Sequence, residues 1–202
     1  MKFLIATNNN KKLDELKRIL NPLNINVITL REAEIDISDV EENGNTFYEN
    51  AFIKAKAGCE HSGIPTIADD SGLCVDALNG APGIYSARYA GENATDSDKN
   101  SKLLQELSNV PAEQRTAHFT CSIVCVFPDG KEVCAEGFCN GTISQQPDGE
   151  GGFGYDPIFM YNGVSFGKLS ADEKDKVSHR GNALREFKNK LKDFLEEYNA
   201  DE

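Results

Sequence analysis

Two adjacent carboxylates, Asp69 and Asp70, are the first candidates for chemistry, because they directly follow the short apolar stretch 66–68. Strand ends are where α/β proteins often place ligand-binding groups. Neighbouring residues of an extended chain point to opposite sides, so one carboxylate can face a ligand while the other braces a loop or a cation. Ser71-Gly72 after them allows a tight turn. A surface Asp-Asp turn is the alternative that this segment leaves open.

Two further carboxylates, Glu41 and Glu42, lie in an acidic loop. Together with Asp69 and Asp70 they supply enough oxygens for an octahedral Mg²⁺ that keeps several waters and bridges substrate phosphates. The sequence therefore predicts a magnesium site, but it does not decide between Glu41 and Glu42 as the ligand.

The polar segment Thr7-Asn8-Asn9-Asn10-Lys11-Lys12 places backbone N–H groups, a hydroxyl and two lysines at the predicted start of a helix. The helix dipole favours an anion there, so the segment suits a triphosphate. A polar helix cap with solvated lysines is the alternative.

Two aromatic rings stand in the glycine-rich segment Phe153-Gly154-Tyr155-Asp156. Aromatic rings beside flexible backbone can stack on a planar base, and the carboxylate of Asp156 can accept from ring N–H groups. A loop that covers the core is an equal alternative.

Two strong donors, His179 and Arg180, come just ahead of the last predicted helix. Arg180 has donors and no acceptor, which favours an exocyclic keto oxygen such as O6 of hypoxanthine over the amine of adenine. A capped helix with solvated His179 and Arg180 is the alternative.

The elements that must position these residues begin with a β-α-β order. Residues 2–6 are typical of a buried strand, and a helix follows with leucines and isoleucines on one face. Asn21-Pro22 is predicted to end this helix, and residues 25–30 are predicted to form a second strand. Thr46 and Glu49 form a capping box for a helix over 47–61.

Strict alternation of apolar residues predicts a long half-buried strand over 117–127, and Pro128-Asp129-Gly130 predicts a hairpin to a strand over 131–139. Between these parts, Thr95 or Asp96 caps a helix. Residues 145–156 are too rich in glycine for regular structure, and a long loop of this kind indicates a site.

The net charge of -12 argues against a protein that holds nucleic acid by neutralising many phosphates, so a small phosphate ligand would need local lysines or a divalent cation. The six cysteines show no zinc-ligand spacing and are predicted to be free thiols in a reducing compartment, consistent with the cytoplasm. No apolar run long enough for a membrane span is present, so no membrane association is expected.

Four segments in this order carry a resemblance that covers nearly the whole chain: Thr7 to Lys12, Ile67 to Leu73, Gly151 to Pro157 and Ser178 to Gly181. Together they closely resemble the inosine triphosphate pyrophosphatase family of house-cleaning XTP/dITP diphosphatases. The resemblance implies a single domain over residues 1–202. Its α/β fold would have two lobes around a long twisted mixed β-sheet, with flanking helices and a central cleft. It also implies a homodimer that cleaves ITP, dITP and XTP to the monophosphate and pyrophosphate.

The resemblance also implies roles for individual residues. Glu42 and Asp70 match metal ligands, and Asp70 matches the proton acceptor. The positions that match substrate-binding residues are Thr7, Asn8, Asn9, Asn10, Lys11, Lys12, Lys54, Ser71, Phe153, Gly154, Tyr155, Asp156, Lys174, His179 and Arg180. Asn8 stands where many relatives have glycine; if the position needs a positive φ, asparagine tolerates it better than most residues.

Two other functions use the same residues. A non-catalytic purine nucleotide sensor could share the phosphate turn and the stacking loop, although it needs no acid pair. An NTPase that removes the γ-phosphate would release orthophosphate, but the G-x-x-x-x-G-K-[ST] loop of the commonest such enzymes is missing.

Overall fold

The computed structural model describes residues 1–20 and 25–198. In these residues, seven strands form one mixed sheet, and helices flank it. The strands are β1 (Lys2–Ile5), β2 (Asn26–Thr29), β3 (Thr66–Val75), β4 (Thr116–Val126), β5 (Glu132–Ile143), β6 (Phe159–Tyr161) and β7 (Val164–Ser165). The helices are α1 (Asn10–Leu20), α2 (Phe47–Ser62), α3 (Asp96–Glu106), α4 (Ala171–Val177) and α5 (His179–Tyr198). The predicted end of α1 at Asn21-Pro22 lies outside the described residues.

The seven strands follow the order β2-β1-β3-β4-β5-β6-β7. β1 pairs in parallel with β2 and β3, whereas β6 pairs antiparallel with β5 and β7. The predicted mixed α/β sheet is therefore confirmed, and the sequence patterns missed only the two short strands β6 and β7.

The chain divides into two compact units. Unit 1 comprises residues 1–70, 121–137 and 180–202, and unit 2 comprises residues 71–120 and 138–179. Unit 1 has apolar clusters on both faces of its strands. Cys121 and Ile123 belong to one of these clusters, whereas Val124 and Val126 belong to the other. Unit 2 has a core of its own around Phe119, Phe159 and Phe166.

Two predictions about strands were wrong. The segment Asp69 to Gly72 does not turn, because β3 continues through it to Val75. β4 is not half-buried, because all of its residues from Phe119 onward are buried. In β3, pairing with a strand on each side outweighs the local turn pattern, whereas in β4 apolar clusters cover both faces of the strand.

The helix ends follow the predicted capping chemistry. Thr46 accepts from the Glu49 N–H at the start of α2, and Gly63 ends this helix in the left-handed region. α3 has a full capping box with Thr95 as its N-cap. The last helix begins at His179, so this residue and Arg180 lie in its first turn and not ahead of it.

All six cysteines are free thiols, as predicted. Five of them lie in strands, including Cys74 at the extended end of β3. Burial raises the pKa of Cys121 to about 12, which keeps this thiol protonated and inert. Over the described residues, no helix is both long and apolar enough to cross a membrane.

Candidate active site

The turn between β1 and α1 is capped by its own side chains. The Asn9 carboxamide oxygen accepts from the N–H groups of Lys11 and Lys12 at 3.0 and 3.2 Å, and the Thr7 hydroxyl accepts from the Asn9 N–H at 3.2 Å. The polar cap of the alternative is thus present in the structure. Its solvated lysines are found only in part, because Lys11 is exposed whereas the Lys12 ammonium lies against Asp69.

Asp69 is the centre of a buried charge network in unit 1. One of its oxygens, Oδ2, lies 3.2 Å from Lys12 Nζ and accepts from Arg180 Nη2 and Nε at 3.0 and 3.2 Å. Arg180 also donates through Nη1 to the carboxylate of Glu15 on α1. Burial alone would raise the pKa of Asp69, but the charges of Lys12, Arg180 and Lys54 outweigh it and hold that pKa well below its usual range.

Sequence reasoning missed Glu15. The available signal was its spacing, since Glu15 lies three residues after Lys12 and four before Ile19 on the same face of α1. An acidic residue beside the apolar face of a helix indicates a buried cation partner. In this structure that partner is Arg180, whose guanidinium faces Asp69 and Glu15. Recognition of a keto oxygen by Arg180 therefore stays a prediction.

Asp70 has different neighbours in unit 1, as expected for adjacent residues of a strand. Lys54 Nζ lies 2.6 Å from Glu42 Oε2 and 3.6 Å from Asp70 Oδ1. Asn50, one turn before Lys54 on α2, donates to Asp70 Oδ2 at 3.3 Å. Burial raises the pKa of Asp70, and the lysines of unit 1 offset this only in part. Burial also lowers the pKa of Lys54, but Asp70 and Glu42 outweigh this and raise it.

The geometry distinguishes Glu42 from Glu41. Glu42 is half-buried and reaches the Lys54 ammonium, whereas Glu41 is exposed. Over residues 1–20 and 25–198, no group of three or more His, Cys, Asp or Glu side chains could hold a metal ion. Glu42 and Asp70 nevertheless lie against one ammonium, so both can reach one cation. Because Mg²⁺ usually binds one or two carboxylates together with waters and substrate phosphates, these residues fit it.

In unit 2, the carboxylate of Asp156 organises the glycine-rich segment. Its Oδ2 accepts from the Phe153 N–H at 2.8 Å and from Lys174 Nζ at 2.7 Å. The same ammonium lies 4.5 Å from the centre of the Phe153 ring, so it also makes a cation–π contact. Gly152 is required here, because a Cβ at this position would collide with the carboxylate of Asp156.

The two aromatic rings of this segment differ in exposure. Tyr155 is only 4% exposed and donates to the Ser86 carbonyl at 3.0 Å, so its ring belongs to the core of unit 2. Phe153 is partly exposed. Of the two rings predicted to stack on a base, only Phe153 offers an accessible ring in this structure.

His179 is also held within unit 2. Its ring stacks on Phe119 with centroids 4.6 Å apart and planes 12° from parallel. Ser71 is half-buried in β3. The structure therefore gathers Lys12, Lys54, Glu42, Asp69, Asp70 and Arg180 within unit 1, and Phe153, Asp156 and Lys174 within unit 2.

Fold and side chains define a class: an α/β protein in which two lysines and buried carboxylates offer the charges that phosphate and divalent-cation chemistry requires. The chain belongs to the Ham1 family, whose family model matches residues 3–190. The resemblance read from the four segments is thereby confirmed.

Relatives and solved structures agree over nearly the whole chain. A dITP/XTP pyrophosphatase of Clostridium perfringens is 49% identical, with 96% of this chain and 98% of the relative covered. One of Geobacter sulfurreducens is 47% identical, covering 94% and 96%. The Ham1 protein of Staphylococcus aureus superposes with a TM-score of 0.85 at 42% identity, covering 95% and 98%. The HAM1 protein of Coxiella burnetii superposes with a TM-score of 0.87 at 38% identity, with 96% of this chain and 99% of that protein covered.

Proposed function

We propose that this protein hydrolyses the non-standard purine nucleoside triphosphates dITP, XTP and ITP to the nucleoside monophosphate and pyrophosphate. This removes them before they are incorporated into DNA and RNA. The observation that carries the proposal is the desolvated carboxylate of Asp70 beside the Lys54 ammonium. Relatives named dITP/XTP pyrophosphatase, at up to 49% identity, support the same substrates.

Residues of unit 1 act on the phosphates. Lys12 and Lys54 bind phosphate oxygens, and the turn from Thr7 through Asn8, Asn9 and Asn10 to Lys11 borders them. A water attacks the α-phosphorus and forms a new P–O bond while the bond to the bridging oxygen of pyrophosphate breaks. Asp70 accepts the proton of that water, a role for which a raised pKa suits a carboxylate.

Mg²⁺ is the proposed cofactor, held by Glu42 and Asp70. When bound, it would supply charge neutralisation of the phosphates and a lower pKa for a water. The Lys54 ammonium contacts both carboxylates here, and it would bind a phosphate oxygen if a cation took its place between them. Asp69 holds Lys12 and Arg180 and is the less suitable ligand, since its Oδ2 already serves both cations.

Residues of unit 2 act on the base. Phe153 stacks on the purine with the ring face that Lys174 does not cover. Gly154, Tyr155 and Asp156 continue the segment, and Ser71 and His179 border the substrate. We assign preference for a 6-keto purine to His179, as the resemblance implies. The resemblance gives the same role to Arg180 of unit 1, whose guanidinium donates to Asp69 and Glu15 in this structure.

We further propose that the protein is a homodimer of the cytoplasm. The homodimer rests on the resemblance to the family. The cytoplasm rests on six free cysteines, which suit a reducing compartment.

The test is turnover of ITP, dITP, XTP, GTP and ATP by the purified protein with Mg²⁺, with pyrophosphate and orthophosphate assayed separately. We expect pyrophosphate from ITP, dITP and XTP and little from ATP. Orthophosphate as the first product would replace the proposal with γ-phosphate removal. Binding without either product would favour the sensor, which the names of the relatives do not support.

A further inference from the structure

Within unit 2, two side chains of α3 hold Gly154 of the glycine-rich segment. The Gly154 N–H donates to Asp96 Oδ2 at 2.7 Å, and Asn100 Nδ2 donates to the Gly154 carbonyl at 3.1 Å. Asp96 and Asn100 are four residues apart, so both side chains lie on the same face of the helix. Both polar groups of Gly154 are therefore tied to α3.

These two side chains are themselves held in place. Asp96 Oδ1 lies 2.7 Å from Lys99 Nζ, so one carboxylate oxygen forms an ion pair and the other accepts the hydrogen bond from Gly154. The Thr95 hydroxyl accepts from the backbone N–H of Asp98, which caps the first turn of α3 from which Asp96 projects and does not depend on the Asp98 side chain. Asn100 is 6% exposed, and its Oδ1 accepts no hydrogen bond from any residue in the described ranges. A buried carboxamide whose oxygen accepts no hydrogen bond lowers stability. This cost favours a functional role for the hydrogen bond from Asn100 Nδ2 to Gly154.

The contact bears on Phe153 because of where the peptide groups lie. Asp156 accepts from the Phe153 N–H, at one side of the Phe153 Cα. Asp96 accepts from the Gly154 N–H, at the other side. Fixing both flanking peptide groups fixes φ and ψ of Phe153 and therefore the direction of its Cα–Cβ bond, while the Lys174 ammonium contacts the ring itself. Gly154 itself has φ of 62°, and a Cβ there would meet nothing within 4 Å, so packing does not hold this residue.

We propose that Asp96 and Asn100 are positioning residues that hold the Phe153 ring ready to stack on the purine. This inference rests on the proposed function, since it takes Phe153 to be the base-stacking residue. A ring fixed before binding loses little conformational entropy on binding, so α3 raises nucleotide affinity without touching the nucleotide.

The test compares Asp96→Ala and Asn100→Ala with Asp98→Ala, a matched control in the same turn that breaks the capping box but does not touch Gly154. Loss of a hydrogen bond to a charged group predicts a KM for dITP raised about 10-fold in Asp96→Ala, with kcat nearly unchanged. Asn100→Ala should act in the same direction. Asp98→Ala should lower the melting temperature and leave KM as in the wild type. Asp96→Asn keeps an oxygen acceptor and should restore most of the affinity.

Hydrogen exchange of the Phe153 and Gly154 amides supplies a readout that does not need catalysis. We expect faster exchange at both amides in Asp96→Ala than in Asp98→Ala. Unchanged KM and exchange in Asp96→Ala, or equal effects in Asp98→Ala, would overturn the positioning role. Faster exchange in a protein that does not cleave dITP at all would leave α3 as the holder of Phe153 and contradict only the proposed function.

Discussion

Asp69 and Asp70 are consecutive residues with opposite electrostatic surroundings. Asp69 faces Lys12 and Arg180, and their charges lower its pKa despite complete burial. Burial raises the pKa of Asp70, because the charges of Lys54 and Lys12 lower it by less than desolvation raises it. Two neighbouring carboxylates whose pKa values are pushed apart are suited to two different roles. Asp69 holds Lys12 and Arg180, and the raised pKa of Asp70 suits the proton-acceptor role that we propose for it.

Asp70→Asn should lower kcat by about 10²- to 10⁴-fold, the usual contribution of a general base, with a smaller effect on nucleotide binding. It should not lower the melting temperature of the metal-free protein. Since the folded pKa of Asp70 is raised, its charged form costs stability above that pKa, and stability rises as the pH falls through it. Steady-state kinetics and thermal unfolding test both parts. Near-full activity would remove Asp70 from the reaction.

Glu42→Gln and Glu41→Gln form a matched pair of neighbouring substitutions. We expect Glu42→Gln to raise the Mg²⁺ concentration for half-maximal turnover at least about 10-fold, as is usual when a metal site loses a supporting group. Glu41 is exposed and should tolerate the change. A Mg²⁺ titration of turnover distinguishes the two, and equal effects would contradict the assignment to Glu42.

At the scale of elements, the sequence pattern predicts the first residues of the helices better than the length and burial of the central strands. Capping residues such as Thr46 and Thr95 act through their own hydrogen bonds, so a local pattern suffices. Asp69 to Gly72 has turn-forming residues but lies in β3 between β1 and β4, and pairing with distant strands is invisible to local propensity. The alternation in β4 likewise hides the second apolar cluster that covers its other face.

The site shows the same division. The segments that carry Lys12, Asp70 and Phe153 are recognisable from residue types and order. Glu15, Asn50, Asp96 and Asn100 were missed because their roles depend on contacts across 165, 20, 58 and 54 positions of sequence. A polar residue on the buried face of a helix is the only trace that such contacts leave in the sequence.

The ion pair between α1 and α5 gives an element-scale prediction. Glu15→Gln should destabilise the protein by about 1.5–3 kcal/mol, because the buried guanidinium of Arg180 loses a charged acceptor. Asp14→Asn changes the neighbouring, exposed residue of α1 and should have little effect. Urea unfolding of both variants measures the difference. Equal stability of Glu15→Gln and Asp14→Asn would mean that the pair does not support the packing of the two helices.

At the scale of the whole molecule, a net charge of -12 opposes the binding of a polyanion. Unit 1 places the cations Lys12, Lys54 and Arg180 against four carboxylates, which belong to Glu15, Glu42, Asp69 and Asp70. These side chains carry no net positive charge among themselves, so a divalent cation would supply the charge that a nucleotide needs there. The acidic chain therefore favours a small phosphate ligand over a nucleic acid chain.

The proposed reaction is tested most directly by determining which P–O bond of the triphosphate is cleaved by water. Turnover of dITP in ¹⁸O-labelled water, followed by mass spectrometry of both products, reports which phosphorus is attacked. We predict one ¹⁸O in deoxyinosine monophosphate and none in pyrophosphate, because in the proposed reaction water attacks the α-phosphorus and Asp70 accepts its proton. Label in pyrophosphate, or release of labelled orthophosphate from the γ-position, would contradict it.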